Sequence, residues 1–169
     1  MPKLLSKFFH TVRLTVCLTA CLTACLATYG TTLTGRVVKV SDGDTITVLD
    51  ASNVQHKIRL NGIDAPEKKQ AFGQVAKNHL SSLVAGKAVR VEYSKRDRYG
   101  RVLGTVFVGD TDINLRMIAD GLAWHYKKFD KTPSYAKAED AARSKRLGLW
   151  RDPKPVEPET FRHRPDKRR

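Results

Sequence analysis

The stretch Leu33–Leu49, LTGRVVKVSDGDTITVL, decides how the rest of the chain reads. Apolar and polar residues alternate from Leu33 to Val40, stop at Ser41-Asp42-Gly43-Asp44, and resume from Thr45 to Leu49. A period of two broken by an Asp-Gly pair is the pattern of two antiparallel strands joined by a tight turn. Working outward, Val54 to Leu60 predicts a third strand ending at Asn61-Gly62, and Ala88–Tyr93 and Val102–Val108 predict a fourth and a fifth. After the third strand, Asp64-Ala65-Pro66-Glu67 has the form of a helix start, with Asp as cap, Pro in the first turn and Glu at the capping-box position. Apolar residues then recur through Phe72, Val75, Ala76, Leu80, Leu83 and Val84, and Gly86 is the stop. Asn114–Ala119, ended by Gly121, and Pro133–Arg146 read as two more helices. Five short strands interrupted by a helix after the third is the order of an OB-type barrel, an α+β fold that is mainly β, with about three helices.

A chain of 169 residues, 41% hydrophobic, has enough apolar material for one modest core and no more. Its formal charge of +14 calls for a polyanionic partner. Cys17, Cys21 and Cys25 all lie near the start, so the body has no disulfide, thiol nucleophile or thiolate metal site. Lys3, Lys7 and Arg13 precede an uncharged run from Leu14 to Ala27, the form of a secretory signal over residues 1–27. Ordinary cleavage after Ala27 is the favoured reading. The alternative is lipoprotein processing, because Leu18-Thr19-Ala20-Cys21 and Leu22-Thr23-Ala24-Cys25 both have lipobox form and would anchor the chain through Cys21 or Cys25. Either way the product is secreted or periplasmic. Without residues 1–27 the chain keeps 28 Lys and Arg against 17 Asp and Glu, so the basic character belongs to the working protein. Residues 31–151 read as the globular domain, and 152–169, rich in Pro and charge, as a disordered basic tail adding nonspecific phosphate affinity.

Within the domain, Asp44, Arg59, Asp64, Glu67 and Arg101 sit at the ends of predicted strands, in Asp42-Gly43-Asp44-Thr45, Ile58-Arg59-Leu60, Ile63-Asp64-Ala65-Pro66-Glu67 and Arg98-Tyr99-Gly100-Arg101. Three acids suit a hard divalent cation and a water, and two arginines suit a phosphate. Hydrolysis of a phosphodiester asks for those parts: a cation at the nonbridging oxygens, a base for the water, and donors for the charge that builds on phosphorus.

In order and spacing these segments resemble the staphylococcal (micrococcal) nuclease family, the thermonucleases, from about Leu33 through the closing Leu147-Gly148-Leu149-Trp150. The resemblance implies a five-stranded OB barrel with three helices. It implies that Asp44 and Asp64 are carboxylate ligands to one Ca2+, with the backbone carbonyl of Ala65 beside them and Asp42 acting through water. It further implies Glu67 as general base or water-orienting carboxylate, and Arg59 and Arg101 as the arginines that grip the phosphate. Tyr99 matches a tyrosine that hydrogen-bonds the terminal phosphate of a bound nucleotide, Arg98 keeps the charge of a neighbouring lysine, and Tyr126 matches an aromatic that stacks on the base. The activity implied is Ca2+-dependent endonucleolytic hydrolysis of DNA and RNA to 3′-phosphate products by a monomer with no obligate protein partner. Gripping a stacked base favours single strands and AT-rich DNA.

Taken singly, each feature has a plainer explanation. Asp42-Gly43-Asp44 is good turn chemistry, Asp64 and Glu67 make a capping box, and Arg59 and Arg101 are two of many positive charges. The aromatics from Trp124 to Phe129 suit core packing. His10, His56, His79, His125 and His163 show no metal-ligand spacing and receive no catalytic role. The joint occurrence favours the enzyme. The alternative is a noncatalytic nucleic-acid-binding OB module, which predicts loss of one of the five residues, and none is missing. A third reading, a basic protein at an anionic surface, explains the charge and leaves the acids unexplained.

Overall fold

The computed structural model describes residues 31–163. The expected signal at 1–27, with Cys21 and Cys25, and positions 164–169 of the tail lie outside the described residues. Strand β1 (Thr31–Asp42) is long enough to serve two neighbours. Its first half pairs antiparallel with β5 (Ala88–Arg96) and its second half with β2 (Thr45–Leu49). Register shifts after Val37 and Val40 let it coil from one neighbour to the other. β2 pairs with β3 (Gln55–Leu60), and β5 with β6 (Val102–Val108). A parallel pairing of β3 with β6, Ile58 opposite Val102 and Leu60 opposite Gly104, closes the ring into the expected five-stranded barrel.

The period-two pattern does what it must in a closed barrel. Val37, Ile46, Val48, Ile58, Leu60, Val91, Val102 and Val106 are all buried, and Ala76, Leu80 and Val84 of helix α1 (Gly73–Val84) join the same core. Two-residue strands β4 (Ile63–Asp64) and β8 (Trp124–His125) pair with each other, and β7 (Thr111–Asp112) extends the sheet beside β6. Helix α2 (Ile113–Ala119) starts at Asp112, whose carboxylate accepts the Leu115 N–H at 2.9 Å. Helix α3 (Pro133–Ser144) and a 3-10 turn (Gly148–Arg151) follow. Their second, smaller core holds Trp124, Ala142, Leu149 and Trp150, with the Arg143 guanidinium 3.9 Å from the Trp150 ring centroid.

Two expectations differ from the structure. Asp64-Ala65-Pro66-Glu67 does not begin a helix: Asp64 is bridged to Trp124 in β4–β8, and α1 starts only at Gly73, after Phe72 in the left-handed region (φ 64°). Long-range strand pairing has overridden the local capping signal. Nor are residues 152–163 a disordered tail, because they fold back on the domain and end in helix α4 (Pro158–Arg162) with Pro158 buried. Among the described residues there are thus four α-helices, α4 being added to about three expected.

The polar side chain of Asn114 ties the barrel to α2. Fully buried, it donates to the carbonyls of Asn61 (2.9 Å) and Gly104 (3.1 Å) and accepts the Val106 N–H (3.1 Å). An Asn114→Ala variant removes the side-chain partners of the Asn61 carbonyl and the Val106 N–H, while the Gly104 carbonyl keeps the Asn61 N–H, and it should lose about 3 kcal/mol of stability in urea unfolding.

Candidate functional site

The β1–β2 turn puts Asp44 at the mouth of the barrel, and the β2–β3 register sets Thr45 opposite Arg59, so the arginine lies beside the acid. Gly43 is required by proximity: a Cβ there would stand 2.7 Å from the Ala65 Cβ and 2.8 Å from that of Ala76. The turn therefore rests directly on Ala65 and α1, and the Ala65 N–H donates to Asp44 Oδ2 at 2.9 Å. β4 then delivers Asp64. Both acids are buried, and Arg59 bridges them, Nη1 standing 2.5 Å from Asp44 Oδ2 and Nη2 donating to Asp64 Oδ1 at 2.8 Å. Arg59 is itself largely buried, so both of these ion pairs lie away from solvent.

Burial pushes the Asp44 carboxyl up to about 7; Arg59 and the Ala65 N–H pull it down, and the neighbouring Asp42 charge pushes it up again. Asp42 itself accepts the Asp44 N–H at 3.2 Å and stands next to the pair, outside it.

Glu67 is held by its backbone. Its N–H donates to Gln70 Oε1 (3.1 Å), its carbonyl accepts the Gln70 N–H (2.8 Å), and a Cβ at Gly73 would overlap that same carbonyl. The half-exposed Glu67 carboxylate reaches the buried acids through a residue that sequence reasoning missed. Arg162 of α4 donates to Glu67 Oε1 (2.7 Å) and to both oxygens of Asp64 (3.1 and 2.9 Å). The only sequence signal was a short apolar and Pro-bearing segment, Pro155 to Phe161, within the charged tail.

The structure thus brings Asp44, Arg59, Asp64, Ala65 and Glu67 together. It keeps Arg101 in its own loop: Arg101 Nε donates to Asp97 Oδ2 at 2.6 Å and its backbone N–H to Asp97 Oδ1 at 3.0 Å. Partial burial works against the Asp97 charge, but these bonds and the Tyr99 N–H hold its carboxyl below the ordinary range. Arg101 still immediately precedes β6, the neighbour of β3, two positions before Leu103, the partner of Arg59. Tyr99 is exposed, with the Arg98 and Arg101 guanidinium groups 4.8 and 5.7 Å from its ring centroid. Tyr126 packs edge-on against Phe129 and donates from its hydroxyl to Glu159 Oε2 at 3.2 Å. Burial and then the Glu159 charge raise its pKa, which keeps it a donor. His56, His79 and His125 each pair with an aspartate, Asp50, Asp120 and Asp130, as ordinary structural histidines do.

Among the described residues no three His, Cys, Asp or Glu side chains converge as a ready metal cage. What converges is two buried carboxylates next to the Asp64–Ala65 backbone, an all-oxygen donor set that suits a hard divalent cation and leaves most of its shell to water.

The model for the staphylococcal nuclease homologue family matches residues 57–152, from within β3 to just past the 3-10 turn. Over 129 residues the chain is 49% identical to an "Uncharacterized endonuclease" of Haemophilus influenzae, covering 76% of this chain and 72% of that protein. It is 47% identical to a protein of the same description from Escherichia coli, over 77% of this chain and 85% of the relative. A "Micrococcal nuclease" of Shigella flexneri is 42% identical, over 76% and 79%.

If the Arg59 bridge holds the acids together, Arg59→Leu should cost about 3 kcal/mol in chelator, because it leaves buried carboxylates facing each other. Adding Asp44→Asn should recover part of that loss, since it removes one of the two charges. Urea midpoints of the single and double variants give the measurement.

Proposed function

The chain belongs to the staphylococcal nuclease family, and from that premise we propose that it is an exported endonuclease that uses one Ca2+ to hydrolyse DNA and RNA to 3′-phosphate ends. The observation that carries this reading is the cluster itself: two buried carboxylates bridged by an arginine, with a half-exposed Glu67 at its edge. Asp44, Asp64 and the Ala65 carbonyl would hold the cation. When bound, it neutralises charge on the nonbridging oxygens and lowers the pKa of a water.

The chain's own residues supply the rest. Arg59, paired with Asp44 and Asp64, would offer its planar fork to the phosphate if a cation were held by those acids. Glu67 stands at the solvent-facing edge, where its carboxylate accepts a proton from water or orients it for in-line attack. Arg101 reaches the phosphate by exchanging Asp97 for a stronger anion, and so favours departure of the 5′ oxygen. Tyr99 and Arg98, exposed on the same loop, meet the next phosphate along the strand. Tyr126 offers a base a ring face beside Phe129. The chain's formal charge of +14 steers nucleic acid to the site and makes binding fall with salt. Export rests on the basic start and apolar run of residues 1–27.

The test is digestion of heat-denatured DNA with Ca2+, with Mg2+ and with chelator, mapping the ends. Cutting to 3′-phosphate ends with Ca2+ alone is the expected result; binding without cutting under every ion would leave a nucleic-acid-binding module. In the same assay Glu67→Gln should lower single-turnover cleavage about 100-fold or more with the fold intact, and Arg101→Gly should abolish cleavage. A change confined to substrate affinity would demote either residue to a positioning charge.

A further inference from the structure

Residues 153–163 reach the site from outside the barrel, and their contacts fall on functional groups of both signs. On one side Arg162 places a guanidinium on Asp64 and Glu67, occupying both oxygens of Asp64. On the other, the Glu159 carboxylate accepts from Tyr126 Oη (3.2 Å) and Lys128 Nζ (2.7 Å). One helical turn of α4 thus presents a cation to the acids and an anion to the donors, the charge pattern of a metal ion followed by a strand phosphate. We propose that this segment is an internal ligand of the site: Arg162 stands where the divalent cation binds, and Glu159 stands at a phosphate subsite formed by Tyr126 and Lys128. The strap must leave before metal and strand bind. The inference rests on the endonuclease reading of the same residues.

The construction of the strap supports release as a unit. Pro153, Pro155 and Pro158 restrict its backbone, so little conformational entropy is lost on docking. Its apolar hold is limited, with Pro155, Val156 and Phe161 sharing one small cleft with Pro66, Phe72 and Trp124. Gln70 Nε2 donates to the Val156 carbonyl at 2.6 Å, while the backbone and Oε1 of the same side chain's residue pin Glu67. Docking of the strap and placement of Glu67 are therefore linked through one glutamine. The Lys128–Glu159 and Arg162–Glu67 pairs keep solvent exposure and are individually weak, while the Arg162–Asp64 pair joins a part-exposed guanidinium to a buried carboxylate and is the contact a cation must displace. A guanidinium bidentate on Asp64 and a divalent cation on the same oxygens exclude each other by charge and by geometry. A closed strap then weakens apparent metal affinity by the fraction of molecules that are open.

Calorimetric titration of the full chain with Ca2+ should show Arg162→Ala binding about tenfold more tightly, and Arg162→Lys intermediate. Glu159→Ala in chelator should bind a fluorescein-labelled single-stranded oligodeoxynucleotide several-fold more tightly, by anisotropy. In the unaltered chain, Ca2+ with a phosphorothioate oligonucleotide should raise deuterium uptake across 153–163. Unchanged or weaker Ca2+ binding by Arg162→Ala, including no binding by either chain, would overturn the proposal, as would a strap that stays protected when metal and oligonucleotide are bound. A lowered kcat with unchanged Ca2+ affinity would make Arg162 a third phosphate-gripping arginine instead. Tighter Ca2+ binding with no cutting in either chain would sink the endonuclease reading and leave the strap in place.

Discussion

Two carboxylates cannot be buried side by side without positive charge between them, and that constraint organises this molecule. Asp44 and Asp64 come from different strands, 20 positions apart in a register fixed by barrel closure, and Arg59 is the group that makes their approach tolerable. Desolvation alone would favour protonated, neutral acids, as the raised pKa of Asp44 shows. Arg59 offsets this only in part, because burial outweighs its charge at Asp44.

The barrel exists in a form that makes this possible. β1 coils from β5 to β2, which aims the Asp42–Thr45 turn inward, and the parallel β3–β6 pairing brings Arg101 to the edge of the strand that carries Arg59. Asn114 clamps the Asn61 and Gly104 carbonyls where β3 turns into β4, so the step from Arg59 to Asp64 is rigid. The Tyr99 loop and the strap, held largely by exposed or part-exposed side chains, are the parts that a strand of nucleic acid would have to displace or engage.

Much of this was legible because barrels write themselves in local pattern. The alternation around Asp42-Gly43-Asp44 located the first hairpin, and strands two to five followed from runs bounded by Asn, Gly and Asp. The Asp64–Glu67 segment misled because Asp64 serves equally well in a capping box and in a β-bridge. Only the pairing of Asp64 with Trp124, 60 positions away, distinguishes them. Arg101 was legible as a candidate but not as the partner of Asp97, a contact that depends on the turn geometry of its loop. Arg162 was invisible for a different reason: its partners lie 95 and 98 positions earlier, and a segment so rich in charge and Pro has the composition of a solvated tail.

That last point bears on how a strongly basic protein keeps an acidic centre in order. Where positive charge is in such excess, any unfilled carboxylate pair near the surface will recruit the nearest flexible cation of the chain itself. Docking Arg162 satisfies the pair with a group that is bound strongly enough to order a helical turn and weakly enough, half-exposed and screened, to yield to a divalent ion. Glu159 performs the reciprocal service for Tyr126 and Lys128, donors that would otherwise wait for a phosphate. The same electrostatic demand that prepares the cluster for metal and strand therefore also explains why the chain folds its own end into it.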